Sequence, residues 1–153
     1  MATPEMDALS VQFQQICLDH NWSSFQKIEL VASFAQHFPY SLDIDSRGVG
    51  DYWRYPLETL VDGTGDCEDV TILAASILRR MGHSVAVFYT SDHAALAVEA
   101  PLALLDGTSA LVDGRRYYYV EMTSAGSRLG ELPDSVDPGE LRVALVEQTT
   151  VAA

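Results

Sequence analysis

A chain of 153 residues has room for one domain of the usual size, about 100–200 residues, and residues 1–153 are expected to form one. Apolar residues make up 48 %, more than a disordered chain carries. Nine basic residues against 22 acidic ones leave a net charge of −13, which repels phosphate backbones and anionic lipid, so neither nucleic acid nor a membrane is an expected partner. No apolar run reaches the roughly 18 residues of a membrane span. The start, MATPEMDALS, has neither the basic residues nor the apolar stretch of a signal peptide. Two cysteines, Cys17 and Cys67, are too few for a disulfide scaffold and lack a CxxC spacing for zinc. The expected setting is the reducing cytoplasm, unless a chain ending TTVAA is a domain cut from a longer protein.

Leu9, Phe13, Ile16 and Cys17 recur at helical spacing and predict a first helix. His20–Ser24 interrupts it. Ser23 and Gln26 form a capping-box pair, and Phe25, Ile28, Ala32, Ala35 and Phe38 then predict a second helix, ended by Pro39. Residues 39–66 carry Pro39, Gly48, Gly50, Pro56, Gly63 and Gly65 among Tyr40, Tyr52, Trp53 and Tyr55. They read as one long connection, of the kind that often binds something. These aromatics, Tyr40, Tyr52, Trp53 and Tyr55, either anchor that loop or line a substrate groove. A third helix is expected from Cys67 to Met81, with Val70, Leu73, Ala74, Ile77 and Leu78 on one face and Gly82 as a left-handed cap. Strands are then expected at His83–Thr90, His93–Ala100, Ala110–Val112, Arg115–Thr123 and Leu141–Gln148, with a hairpin turn at Asp113-Gly114. Helices followed by a meander of strands predict an α+β fold with an antiparallel sheet.

The run Gly63-Thr64-Gly65-Asp66-Cys67-Glu68-Asp69 carries the chemistry. Asp66 caps the predicted helix and Asp69 answers it, so Cys67 falls at the first helical position. There the free N–H groups and the helix dipole favour a thiolate and an oxyanion beside it. Asp66, Glu68 and Asp69 oppose the thiolate, so a cationic partner is needed. A buried, inert Cys67 is the plain alternative. The two glycines before it are read as space for an approaching chain. Of the four histidines, His20, His37 and His83 read as surface or packing residues. His93 opens a strand after a turn, and Glu121 interrupts the apolar strand predicted beside it. A carboxylate there is costly unless paired, and an imidazole on the neighbouring strand is its natural partner. Cys67, His93 and Glu121 thus divide as nucleophile, acid–base and orienting group.

The block Tyr55-Pro56-Leu57-Glu58-Thr59-Leu60 with Gly65-Asp66-Cys67-Glu68-Asp69 resembles the transglutaminase-like superfamily, in particular its small bacterial and archaeal cysteine-peptidase-like members. Asp92-His93-Ala94 resembles that family's histidine strand, and Tyr119-Val120-Glu121-Met122-Thr123 its acidic strand. Arg79-Arg80-Met81-Gly82-His83 and Phe34–Tyr40 are similar to its flanking segments, and the similarity covers about residues 25–130. The resemblance implies a papain-like α+β core and amide acyl transfer through a thioester at Cys67, with water or an amine as acceptor. It implies a protein or peptide substrate, or a small amide. The family's third residue is usually Asp, where this chain has Glu121. The family also completes its oxyanion hole with an upstream side chain, for which Gln36 is the candidate here, with Tyr52 and Trp53 as others. Animal transglutaminases use calcium, but no acidic loop here has calcium-site spacing, and Asp43 and Asp45 read as a solvated turn. No cofactor is expected. Two other readings stand beside this one: a binding module that kept the fold without the chemistry, and a metal site on Cys67, His93 and a carboxylate. Oligomeric state is not legible.

Overall fold

Thr3 opens the first helix by accepting the Met6 amide on its side chain, and Pro4 stands in the first turn, where a missing N–H costs nothing. This helix, α1, spans Pro4–Asp19 in a computed structural model that describes residues 3–48, 50, 52–100 and 106–146. Its buried face is Met6, Ser10, Phe13 and Cys17. Ile16, expected on that stripe, is 40 % exposed at its edge. Helix α2, Ser24–Gln36, starts at the expected Ser23–Gln26 capping box. It stops at a His37 cap, so Pro39 lies beyond the helix and does not end it.

The segment 39–66 is not one irregular connection. It holds two short helices, α3 at Asp43–Arg47 and α4 at Pro56–Asp62. Pro56 fits the first turn of α4, Glu58 accepts the Tyr55 amide at 2.8 Å, and Gly63 closes the helix at φ 69°. Three of the residues that suggested a loop are start and stop signals of these helices: Gly48 caps α3, Pro56 opens α4 and Gly63 closes it.

Helix α5, Cys67–Arg80, starts at a reciprocal pair: Asp69 N–H donates to Asp66, and Asp66 N–H to Asp69. Val70, Leu73, Ala74, Ile77 and Leu78 are almost fully enclosed, which makes α5 the central helix. Five strands follow among the described residues: β1 Val85–Tyr89, β2 Ala94–Glu99, β3 Ser109–Val112, β4 Arg115–Val120 and β5 Arg142–Leu145. The last two residues of the strand expected at 141–148 lie outside the described residues. All pairings are antiparallel and the order is β3-β4-β2-β1-β5. That order is not a meander, because β2 pairs with β4 and β5 returns to the free edge of β1. The turn at Asp113 and Gly114, with φ 50° and 78°, has the two positive φ values that a tight two-residue hairpin demands.

Alternation along the strands feeds two apolar layers. Leu96, Val98, Tyr118 and Val120 join the helices, whereas Ala95, Ala97, Tyr117 and Tyr119 face Phe88 and the covering Leu132 and Leu141. Apolar residues thus pack on both faces of the sheet, one of them against α5.

Candidate active site at the start of helix α5

Cys67 is the first residue of α5 and only 5 % exposed. Its thiol donates to Glu68 Oε2 at 3.0 Å, and the nearby Ala94 backbone N–H favours the ionised sulfur. The nucleophile candidate therefore lies near the first residue of β2, next to His93. Two glycines precede it, and both serve the chain's own folding. Gly63 caps α4, and a Cβ on Gly65 would stand 2.7 Å from the Asp69 Cβ. At Gly65 the space expected for an approaching chain is filled by Asp69, whereas nothing stands within 4 Å of a Cβ at Gly63.

His93 and Glu121 lie just past the ends of β2 and β4, whose register sets Leu96 opposite Val120. His93 Nε2 and Glu121 Oε2 are 2.8 Å apart. Glu121 is 2 % exposed and richly served. Oε2 also accepts from the Tyr119 hydroxyl at 2.7 Å, and Oε1 accepts from the Met122 and Thr123 amides and the Thr123 hydroxyl. Burial pushes this carboxyl up, but bonds from His93, Tyr119 and the Thr123 amide outweigh it and bring its pKa down to about 2. His93 is raised chiefly by its bond to Glu121, against the effect of burial. Ionised Glu121 can only accept, so Nε2 carries the ring's proton and Nδ1 is left as the basic nitrogen.

Gln36 does not reach an oxyanion. Its amide nitrogen is committed to the Glu121 carbonyl at 2.8 Å and the Ser127 carbonyl at 3.0 Å, and its oxygen accepts from Gly126. It holds the main chain behind Glu121. Tyr52 and Tyr55 also stand apart from the sulfur. The Tyr52 hydroxyl bonds Glu58 under the Arg47 guanidinium, and Tyr55 faces Met6 and Val61. Of the four aromatic candidates only Trp53 lines a cleft with His93. That cleft, about 470 Å³, is walled by Ile72, Val87, Leu145 and Val146 and reaches Glu68 and Ala94. A second cleft of about 350 Å³ shares His93 and is polar, with Asp92, Thr123, Asp137 and Glu140. Tyr40, another of the aromatics of the 39–66 segment, stands nearer the nucleophile's turn. A backbone bridge joins it to Gly65, and its hydroxyl, raised first by burial, also feels the charge of Cys67.

Asp43 is not in a solvated turn. It is 3 % exposed and accepts the Tyr52 amide at 2.6 Å. Among the described residues, Asp43, Asp66 and Asp69 form the one carboxylate group close enough to share an ion, with oxygens within 4.8 Å of one another. Cys67, His93 and Glu121 form no such group. The Arg54 guanidinium already pairs with Asp69 at 2.8 Å and lies 3.5 Å from Asp43.

Burial, then the bond to Glu68, pushes the Cys67 thiol up to about 12. In this arrangement the sulfur is a protonated, resting group. Glu68→Ala removes both the acceptor and a like charge. The pH profile of Cys67 alkylation by iodoacetamide is expected to move about one unit lower, which is about tenfold faster reaction near neutrality. Peptide mass mapping of the labelled thiol measures it, and an unmoved profile would show that burial alone sets the thiol.

No family model matches the chain, and no curated protein matches it by sequence. Solved structures do match. Legionella pneumophila LapG superposes with a TM-score of 0.55 at 16 % identity, over 95 % of this chain and 88 % of that one. The EGTA-treated form of LapG gives 0.57 at 17 %, over 99 % and 89 %. Its calcium-bound form gives 0.51 at 17 %, over 94 % and 93 %. At such identity the likeness shows the fold: helices, one of them carrying Cys67, packed on a five-stranded antiparallel sheet in the transglutaminase-like arrangement.

Proposed function

We propose that this chain is a cysteine-dependent amide hydrolase or acyltransferase acting on a protein or peptide, with Cys67 as nucleophile, His93 as acid–base and Glu121 as the group that orients the ring. The observation that carries the reading is the 2.8 Å His93–Glu121 contact at the end of the sheet where Ala94, the residue after His93, has its backbone N–H near the Cys67 sulfur. The LapG neighbours support the fold that such chemistry uses.

The reaction starts when the thiol leaves Glu68 and passes its proton to His93 Nδ1. The thiolate attacks the amide carbonyl carbon, forming a C–S bond. The oxyanion meets the Cys67 N–H, which as the first helical amide has no carbonyl one turn back to bond. The Tyr40 hydroxyl, on the segment that a backbone bridge ties to Gly65, is the second donor in place of Gln36. As the C–N bond breaks, the imidazolium returns the proton to the leaving amine. A thioester at Cys67 remains, and water or another amine attacks it with His93 again as base. Glu121 stays ionised throughout and stabilises the imidazolium. The cleft of Trp53, Ile72 and Leu145 takes an apolar side chain of the acyl donor, and the acidic cleft across His93 takes the amine side. Among the described residues, the carboxylates close enough to share calcium are Asp43, Asp66 and Asp69; Arg54 pairs with two of them, so calcium does not fit there, and no step passes through it.

Incubation with a peptide library, followed by labelling of new amino termini, tests the proposal. Cleavage that iodoacetamide abolishes in step with Cys67 labelling is the expected result. Cleavage that persists with Cys67 fully alkylated would overturn it.

A further inference from the structure

The turn presenting Cys67 is built around a buried cation. Arg54 is 1 % exposed. Its Nη1 donates to Asp69 Oδ2 at 2.8 Å and to the Thr64 carbonyl at 3.0 Å, and its Nη2 donates to the Ser46 hydroxyl. Asp43 Oδ1 lies 3.5 Å from Nη2, and Asp62 Oδ2 lies 3.4 Å from Nε. The Arg54 backbone N–H donates to Asp69 Oδ1 at 3.0 Å. Asp69 Oδ2 in turn accepts the Asp66 N–H, which stands immediately before Cys67. One guanidinium thereby grips both ends of Thr64-Gly65-Asp66 and ties them to α3 and α4.

Carboxylate oxygens of Asp43, Asp66 and Asp69 within 4.8 Å of one another are the donor type a hard divalent ion takes. Here a planar, permanently charged side chain hydrogen-bonds Asp69 and lies within ion-pair distance of Asp43 and Asp62, whose facing atoms, Asp43 Oδ1 and Arg54 Nε, make no hydrogen bond of their own. We infer that Arg54 is the built-in cation of this cluster, and that it fixes the Cys67 turn and offsets the carboxylate charge around the sulfur without a bound metal. The positioning half of this inference rests on the proposed role of Cys67; the independence from metal does not.

The experiment uses the full chain, Arg54→Met and Arg54→Lys. Unfolding is followed by circular dichroism in EDTA and in millimolar calcium chloride. The unsubstituted chain is expected to melt at the same temperature in both. Arg54→Met is expected to melt lower by on the order of 10 °C, since buried carboxylates lose their partner. It is also expected to gain a rise with calcium that the parent lacks. Well below melting and at fixed neutral pH, Cys67 in Arg54→Met is expected to alkylate several-fold more slowly, because uncompensated carboxylates disfavour the thiolate. Arg54→Lys is expected to recover part of that rate. A merely structural role predicts the reverse, as a loosened turn exposes the sulfur and speeds the reaction. A calcium-induced rise in the parent chain, no calcium response in Arg54→Met, or alkylation as fast as or faster than the parent's in that variant would overturn the inference. Should Arg54→Met fail to fold, the parent's calcium response and the Arg54→Lys alkylation rate decide in the same way.

Discussion

Replacing Cys67 with serine is expected to lower amide turnover by at least about three orders of magnitude, and adding His93→Ala is expected to lower it little further. Two groups that act as one unit cannot each contribute an independent factor. With no thiol to deprotonate, the imidazole has no proton to take in the first step. With no imidazole, a thiol held near 12 is almost wholly protonated at neutral pH and attacks too seldom to matter. Independent contributions would instead multiply, and the double variant would fall far below either single one. The fold is a separate readout. Serine keeps the size of the side chain and can still donate to Glu68, so the melting temperature should move by only a few degrees. Turnover measured on a peptide released in the library experiment, for the parent, both single variants and the pair, gives the full cycle. A Cys67→Ser chain that retains parental turnover would remove sulfur from the mechanism altogether.

The parts of this site that were legible in the sequence are those set by short-range rules. Asp66 and Asp69 stand three apart before an apolar helical stripe, and that spacing alone puts Cys67 at the first turn of α5. A carboxylate in the run Tyr117–Met122 needs a partner, and His93 on the paired strand supplies it at 2.8 Å. What escaped was fixed by tertiary contacts. Gln36 lies on a helix that points toward the site, yet its amide bonds carbonyls 85 and 91 residues away, which no local pattern encodes. Asp43 looked solvated because it and Asp45 are too sparse for an ion-binding loop and stand in a segment rich in glycine and proline. It is buried because Arg54, eleven residues later, folds back over it, and only the combination removes the cost of enclosing either charge. The strand order escaped for a related reason. Hairpin turns specify β1 with β2 and β3 with β4, but the pairing of β2 with β4 depends on which faces the helices and the 129–141 segment cover. The aromatic residues of the 39–66 segment divide similarly. Sequence places Tyr52, Trp53 and Tyr55 together, and the start of α4 sends Tyr55 away from the cleft that Trp53 lines.

Glu121→Gln is expected to separate turnover from folding. The substituted amide can still accept from the Met122 and Thr123 amides through its oxygen, so the local turn survives. Toward His93 it presents N–H groups where a carboxylate accepted. The ring must then turn Nε2 into the acceptor and carry its proton on Nδ1, the nitrogen required as base. In serine proteases the equivalent carboxylate-to-amide change leaves the geometry intact and lowers kcat about 10⁴-fold through the wrong tautomer, and a loss of similar order is expected here. Stability carries a distinct signature. The folded Glu121 pKa, about 2 against an ordinary 4.5, is depressed, so its contribution is present above pH 4.5 and is lost as pH falls toward 2. That shift corresponds to about 3 kcal/mol at neutral pH. His93 runs in the opposite direction. Its raised pKa means that the charged form of the same contact contributes below its ordinary 6.5 and declines as pH rises through the folded value. Urea unfolding of the parent and of Glu121→Gln, followed from neutrality down to pH 2, should therefore show the parent ahead at pH 6 and the two curves converging below pH 4. Curves that stay parallel to pH 2 would mean that Glu121 is not ionised beside His93. The imidazolium would then have no counter-charge, and the orienting role assigned to Glu121 would fail with it.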